Sequence, residues 1–215
     1  MAQAYPSINI EGFKIGVNDG IQIISKFFNE FQPVFEGAPD ERGLTDQLLL
    51  AIAKKSSPGR IVLSRPSPQQ EGQWGYDYLL KFSMRKNTAT PFLQTENVAI
   101  YIQAKSFKTE IFGGVALEVA DFTYTNTNGM QMDLLHAKVQ AEKRADPSAR
   151  IYGGYILYSK TDRNNMFLPL DDVRDAYQST QRKAMTKDAA NRAMSKEFIE
   201  ARDRYLILSM PTYGA

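Results

Sequence analysis

Two strand-like segments constrain the fold of this chain more than any other feature. They are YDYLLKFSM (76–84) and NVAIYIQAKSF (97–107), and both are rich in the aromatic and aliphatic residues that favour strands. The segment RKNTATPFLQTE lies between them. We therefore predict that the two segments are adjacent, antiparallel strands of one hairpin.

The polar residues of the second strand fall on one face of this hairpin. Successive side chains of a strand point to opposite faces, so Gln103 and Lys105, which are separated by one residue, lie on the same side. Asp77 joins them if the register of the hairpin permits. The opposite face of the second strand is apolar and carries Val98, Ile100, Ile102 and Ala104.

The rest of the chain alternates predicted helices and strands. A first helix is predicted over 19–35, with Asp19 as its cap and Pro33 at its end, and a second over 44–55, with Thr45 as N-cap. The later elements are a short strand at 60–64, a loop RPSPQQEGQWG, a loop and helix over 125–145, a strand at 149–160, and two helices or one broken helix over 170–208.

This order of elements predicts an α/β domain with a mixed β-sheet flanked by helices. We predict a core over residues 1–165, which includes the N-terminal helix. Residues 166–215 are predicted to form a C-terminal helical extension of the same domain.

Composition excludes several classes of site and location. The chain has 215 residues and no cysteine, so disulfides and thiolate metal sites are excluded. The start MAQAYPSINIEGFKIG lacks the basic and apolar regions of a signal peptide, and no apolar run is long enough for a membrane span. We expect a cytoplasmic protein. A net charge of +2 is too small to indicate nucleic-acid binding by itself.

The polar residues of the hairpin are of the types that metal-assisted phosphodiester hydrolysis requires. That reaction needs a divalent cation, an activated water and a positive charge near the phosphate. Mg²⁺ prefers oxygen ligands, and Asp77 and Gln103 offer a carboxylate and an amide oxygen. Lys105 can orient the water or stabilise the charged phosphate. A further acid from a neighbouring helix would complete the site, and Asp46 is the candidate.

At these residues the chain resembles the PD-(D/E)xK nuclease superfamily, whose members have the restriction-endonuclease-like fold. The family signature is a helix with an acid, then an acid on one strand, then Glu/Gln-x-Lys on the next. WGYDYLL and IYIQAKSF look like the Gln-x-Lys variant of the Mrr-type branch. The segments LTDQLLL, EGQWGYD, QAKSF, QMDLL and YGGYILY fit one branch in that order, over roughly residues 41–158.

The resemblance implies a Mg²⁺- or Mn²⁺-dependent endonuclease that hydrolyses DNA, in defence against foreign DNA, with Asp77, Gln103 and Asp46 as metal ligands and Lys105 as the catalytic lysine. It leaves open a homodimer or a larger defence complex. Two departures stand out. The proline of the family's name is absent before Asp77, and the helix acid is Asp46 rather than a glutamate, so Glu41 is a rival for that role.

Several residues keep two interpretations. Glu71 is either an acid in the second layer around the metal or a solvated loop residue. Gln131 either contacts Lys105 or a phosphate, or is an ordinary residue at a helix start. Asp46 is equally explained as an acid in the first turn of a helix.

A basic set is the candidate contact with a phosphate backbone, against the alternative of a solvated charged face. Its members are Lys54, Lys55, Arg65 and Lys81. The alternative function for the whole chain is a catalytically inactive nucleic-acid- or protein-binding module of the same fold, because fold does not fix function.

Overall fold

The described part of the chain contains five helices and ten strands. A computed structural model describes residues 10–31, 40–56, 61–85, 95–106, 108–112, 115–158, 166–180 and 184–186. Its helices are α1 (Ile10–Phe31), α2 (Glu41–Lys55), α3 (Pro68–Trp74), α4 (Gln131–Ala145) and α5 (Leu170–Thr180). Its strands are β1 (Val62–Ser64), β2 (Tyr78–Arg85), β3 (Thr95–Ser106), β4 (Lys108–Phe112), β5 (Val115–Asp121), β6 (Thr125–Asn126), β7 (Gly129–Met130), β8 (Arg150–Tyr158), β9 (Met166–Pro169) and β10 (Ala184–Thr186).

The main sheet has five strands in the order β1-β2-β3-β8-β9. Strands β2 and β3 pair antiparallel, with Tyr78 opposite Ile102, so the predicted hairpin is confirmed. Strands β3 and β8 pair parallel, whereas β9 pairs antiparallel with β8. The sheet is therefore mixed, as predicted.

Each face of the main sheet packs against helices. On one face, α1 and α2 contribute Ile24, Leu48 and Ile52 to a core that includes the apolar side of β3. On the other face, α4 and α5 contribute side chains such as Leu135 and Val173. This alternation follows from the period of two along β3. The chain is thus a mixed sheet between helical layers, and the predicted α/β class is confirmed.

Helices α1 and α2 pack closely because α1 carries glycine where they approach. A Cβ atom added at Gly16 would lie 2.6 Å from Ile52 Cα, closer than carbon atoms approach in proteins. Larger side chains at this position would push the two helices apart.

The start of each N-terminal helix differs from the sequence prediction. Helix α1 begins at Ile10, so Asp19 lies inside it and forms an ion pair with Lys55. Helix α2 is capped by Asp40, whose side chain accepts a hydrogen bond from Arg42 N. Thr45 is not the cap, because its buried hydroxyl bonds Tyr158 on β8, 2.7 Å away. Pro33 lies outside the described residues.

Two regions contain structure that the sequence prediction left out. The segment predicted as a loop before Tyr76 contains α3, which starts with a capping box formed by Ser67 and Gln70. Strands β4, β5 and β10 form a second sheet, in the order β10-β5-β4.

The start of the predicted C-terminal extension belongs to the main fold. Strand β9 is a member of the main sheet and α5 packs on it, so the boundary after residue 165 does not separate a helical part from the sheet. Residues 187–215, where further helix was predicted, lie outside the described residues. Within the described part of the chain, no helix combines the length and the apolar character that crossing a membrane requires.

Candidate functional site

The candidate site lies where β2 starts and β3 ends. Asp77 immediately precedes β2, and its backbone N–H donates to Ile102 O at 2.8 Å, which continues the pairing of the two strands. This register places Asp77 beside Gln103 on the face that α4 covers. The three residues of the predicted motif therefore meet at one end of the sheet.

Gly75 fixes the approach of α3 to this point. It has φ of +69°, a left-handed conformation that favours glycine. A Cβ atom on Gly75 would lie 2.9 Å from Leu135 N and even closer to Gln131 O, so a side chain would collide with the first turns of α4. The glycine of the Gly-Tyr-Asp sequence thus allows α3, β2 and α4 to converge.

Asp77 is held by two hydrogen bonds to the same oxygen. Gln103 Nε2 donates to Asp77 Oδ2 at 2.7 Å, and Ala104 N donates to it at 2.8 Å. Both side chains are buried, with exposed fractions of 6% for Asp77 and 3% for Gln103. Gln103 Oε1 is buried and makes no hydrogen bond within the described part of the chain. Such an oxygen has a free lone pair in a place where unsatisfied polar atoms are costly.

Glu71 lies beside Asp77, contrary to its interpretation as a solvated loop residue. It is on α3, its side chain is only 18% exposed, and it forms an ion pair with Arg42. The pKa of Asp77 is raised to about 7, chiefly by burial. The neighbouring Glu71 carboxyl also raises this pKa, whereas the Ala104 N–H and Lys105 lower it. Two carboxyl groups therefore share this end of the sheet.

Lys105 points to the start of α4. Its Nζ donates to Gln131 Oε1 at 3.0 Å, which is the first of the contacts that the sequence left open for Gln131. The ammonium also lies 5.4 Å from the centre of the Tyr124 ring, which is 55% exposed. Lys105 is thus oriented by two neighbours while it stays close to Asp77.

Of the two acids of α2, Glu41 and not Asp46 contacts the end of β3. Glu41 Oε1 accepts a hydrogen bond from Ser106 N at 2.6 Å, next to Lys105. Asp46 lies more than one turn further along α2, where both of its oxygens accept from Arg65 at 2.5 Å. The structure therefore does not bring Asp46 to Asp77 and Gln103. The reason is that the first residue of α2, Glu41, docks on the end of β3, whereas Asp46 lies further along the helix.

The predicted DNA contacts are distributed over two elements and the loop after β1. Lys54 and Lys55 end α2 and are exposed, and Lys55 pairs with Asp19 at 3.3 Å. Arg65 pairs with Asp46 and donates to Tyr78 OH at 2.9 Å. Lys81 is half-buried on β2. Contact of these residues with a phosphate backbone stays a prediction.

Arg42 and Tyr124 are part of the site, and sequence reasoning did not identify either. Arg42 pairs with Glu71, 29 positions away, which the sequence placed in a loop, and Arg42 itself precedes the predicted second helix. The Ser-x-x-Gln spacing of residues 67–70 was the available signal for α3 and thus for the position of Glu71. No sequence signal connected Tyr124 with Lys105.

The donor atoms suit a hard divalent cation. Asp77 and Glu71 supply carboxylate oxygens and Gln103 supplies the unpartnered amide oxygen. The described residues contain no group of three or more His, Cys, Asp or Glu side chains placed to hold a metal. The set at Asp77 has two carboxylates, and its third oxygen comes from an amide.

One family model matches most of the chain, including the candidate site. The model of a family of unknown function, DUF6615, matches residues 22–203. The chain belongs to the DUF6615 family. The match contains all the residues of the candidate site, from Glu41 to Gln131. No curated protein matches the chain. Because the function of the DUF6615 family is unknown, a function has to be argued from the site itself.

Proposed function

We propose that this chain is a metal-dependent endonuclease that hydrolyses phosphodiester bonds in DNA, with the restriction-endonuclease-like fold of the PD-(D/E)xK superfamily. We place it in the cytoplasm, in defence against foreign DNA. The proposal takes its reaction class from the resemblance of Gly-Tyr-Asp and Gln-Ala-Lys to that superfamily. It takes its residues from the geometry of the site.

One observation carries the proposal: the Gln103 amide is bonded to Asp77 through its nitrogen and has its oxygen buried and unpartnered. An amide that served only the core would be expected to have both ends satisfied. A cation beside Asp77 would satisfy the free oxygen. The order of helix acid, strand acid and Gln-x-Lys supports the same proposal, with Glu41 in place of Asp46.

Each side chain then has a distinct role. Asp77, Gln103 and Glu71 would hold Mg²⁺ or Mn²⁺, which when bound would activate water and offset charge on the phosphate. Lys105 has no lone pair for a metal when it is protonated. It instead donates hydrogen bonds to the attacking water or to a phosphate oxygen. Gln131 keeps the Lys105 ammonium oriented, because it accepts one of its three N–H bonds.

The test is cleavage of plasmid and single-stranded DNA with Mg²⁺ or Mn²⁺, with a metal-free control. The parent should cut, and Lys105→Ala should not cut although it folds. Folding is checked by circular dichroism and thermal melting. If the parent protein binds DNA but cuts neither substrate with either metal, the inactive binding module replaces the nuclease.

A further inference from the structure

Arg42 connects two elements of the site. It lies in the first turn of α2, and its Nη2 bonds Glu71 Oε2 on α3. The Arg42 side chain is 45% exposed and that of Glu71 is 18% exposed, so the pair lies at the rim of the buried carboxyl groups. The hydrogen bond to Glu71 raises the pKa of Arg42, and the nearby Asp77 adds to the effect.

This guanidinium is a counter-ion for two acids. Glu71 and Asp77 lie at short range, and two carboxylates so close would repel each other in a partly buried place unless a cation is near. Lys105 bonds Gln131 rather than either carboxylate. Among the described residues, Arg42 is therefore the cation that is hydrogen-bonded to the carboxyl pair.

A divalent metal would compete with Arg42 for the Glu71 carboxylate. Arg42 Nη2 donates to Glu71 Oε2, and a metal bound by this carboxylate would offset the negative charge that attracts the guanidinium. The charge of the metal also repels the guanidinium. Both cannot bind Glu71 at full strength.

The backbone of Arg42 is held while its side chain is half-exposed. Tyr78 OH donates to Arg42 O at 2.9 Å, and Arg42 N donates to Asp40 Oδ1 at 3.3 Å. The side chain can therefore leave Glu71 without unwinding α2. A released guanidinium would still lie next to the metal, and its planar set of donors matches a phosphate.

We propose that Arg42 is a displaceable counter-ion, which a divalent metal releases from Glu71 and which then binds a phosphate of the substrate. The inference rests on the proposed function and adds to it an order of events. The metal binds first and frees the residue that holds the phosphate.

The first test is calorimetric titration with Mn²⁺ of the parent, Arg42→Gln and Arg42→Lys. Arg42→Gln should bind Mn²⁺ about fivefold to tenfold more tightly, since the metal no longer displaces a partner. Arg42→Lys should lie between the two, because it keeps the charge and loses the planar fork. The matched control is Arg174→Gln, which removes an arginine–carboxylate pair between α5 and α4 and should leave the Mn²⁺ affinity unchanged.

The second test is binding of a fluorescent DNA oligonucleotide in the Lys105→Ala background, which prevents cleavage. With Mn²⁺ present, adding Arg42→Gln should weaken DNA binding about fivefold or more, although the metal binds more tightly. Without metal, the same change should have a smaller effect, because Arg42 is then held by Glu71. Thermal melting of each variant checks that it is folded.

These outcomes separate the inference from the proposed function. If the parent binds Mn²⁺ through Asp77 and Arg42→Gln has the parental or a lower affinity, the counter-ion role is overturned and the nuclease proposal stands. Unchanged DNA binding by Arg42→Gln with metal overturns the phosphate role. If neither the parent nor Arg42→Gln binds Mn²⁺, both proposals fall together.

Discussion

Asp77 combines burial, a neighbouring acid and two hydrogen bonds to one oxygen. Its pKa is raised from 3.8 to about 7, chiefly by burial. In the folded, metal-free protein the carboxyl therefore keeps its proton over a pH range in which the unfolded chain has lost it. Its contribution to stability is complete below pH 4 and is lost as the pH rises to about 7.

We predict that metal-free protein loses on the order of 2–4 kcal/mol of unfolding free energy between pH 4 and pH 7 through this group. Asp77→Asn is neutral at every pH and should lack this loss, so it should be the more stable protein at pH 8. Urea denaturation in EDTA between pH 4 and pH 8 measures the free energy of unfolding of both proteins. Asp46→Asn is the control, because its exposed carboxylate does not touch Asp77. Parallel pH profiles for the parent and Asp77→Asn would contradict the prediction.

Asp77 and Lys105 should separate metal binding from catalysis. Asp77→Ala removes a proposed metal ligand, so Mn²⁺ binding and cleavage should both be lost. Lys105→Ala removes a positive charge near the proposed metal site, so Mn²⁺ should bind as well as in the parent or more tightly, while cleavage is lost. Lys105→Arg should not restore cleavage, because a planar fork does not replace a compact ammonium at a water. Titration calorimetry measures Mn²⁺ binding, and a plasmid assay measures cleavage. Cleavage at the parental rate by Lys105→Ala would show that Gln-Ala-Lys is not a catalytic motif.

At the scale of elements, regular periodicity was the reliable guide. The period of two in β3 predicted both the hairpin and the common face of Gln103 and Lys105. The sequence missed α3 because proline, glycine and glutamine dominate RPSPQQEGQWG, and such residues usually indicate a loop. It misplaced the start of α2 because Thr45, a good cap by residue type, is used in a buried contact with Tyr158 instead. A local capping box was overlooked in the first error, and a tertiary contact caused the second.

Gly75 follows α3 and packs against the first turns of α4, so its substitution should disturb the packing of both helices. We predict that Gly75→Ala lowers the free energy of unfolding by about 2–3 kcal/mol, because the methyl group meets α4 and φ is positive. It should also weaken Mn²⁺ binding, since Glu71 and Asp77 flank this turn. The measurements are urea denaturation and Mn²⁺ titration.

The matched control for Gly75 is Gly72→Ala. A Cβ atom at Gly72, inside α3, would lie at an ordinary 3.7 Å from Asn128 Nδ2, its nearest neighbour outside the helix. Alanine is the better helix former, so this variant should be as stable as the parent or more stable by up to about 1 kcal/mol. If both variants lost the same free energy of unfolding, the loss would come from substitution anywhere in this region and not from the contact of Gly75 with α4.

At the scale of the whole molecule, the order of the motifs could be predicted, but the contacts between distant segments could not. Helix acid, strand acid and Gln-x-Lys follow in the expected order, and the mixed sheet brings the two strands together. The Arg42–Glu71 pair joins segments 29 residues apart, and no local pattern encodes such a contact. The choice of Glu41 over Asp46 likewise depended on how α2 docks on the end of β3.

The charge of the whole chain limits how it can bind DNA. With 26 basic and 24 acidic residues, the molecule has no large excess of positive charge. Binding should therefore depend on a few local contacts with phosphates, for which Lys54, Lys55, Arg65 and Lys81 are the candidates. Since Lys55 and Arg65 are already paired with acids, their ion pairs must open when DNA binds.

In EDTA, where Arg42 stays bound to Glu71, we predict a slope of log affinity against log salt concentration no steeper than about −3.6 on duplex DNA, the value for four neutralised phosphates. Lys54→Gln should weaken binding equally for different DNA sequences and make the slope shallower by about 0.9, the share of one phosphate. Lys26→Gln is the control, because this exposed lysine on α1 pairs with Glu30 and belongs to no proposed contact, so its slope should equal that of the parent. Fluorescence anisotropy over a range of KCl concentrations, in the Lys105→Ala background, measures the slopes. A salt-independent affinity would mean that DNA is held by contacts other than these phosphate pairs, and a slope far steeper than −3.6 would mean that a larger basic surface takes part.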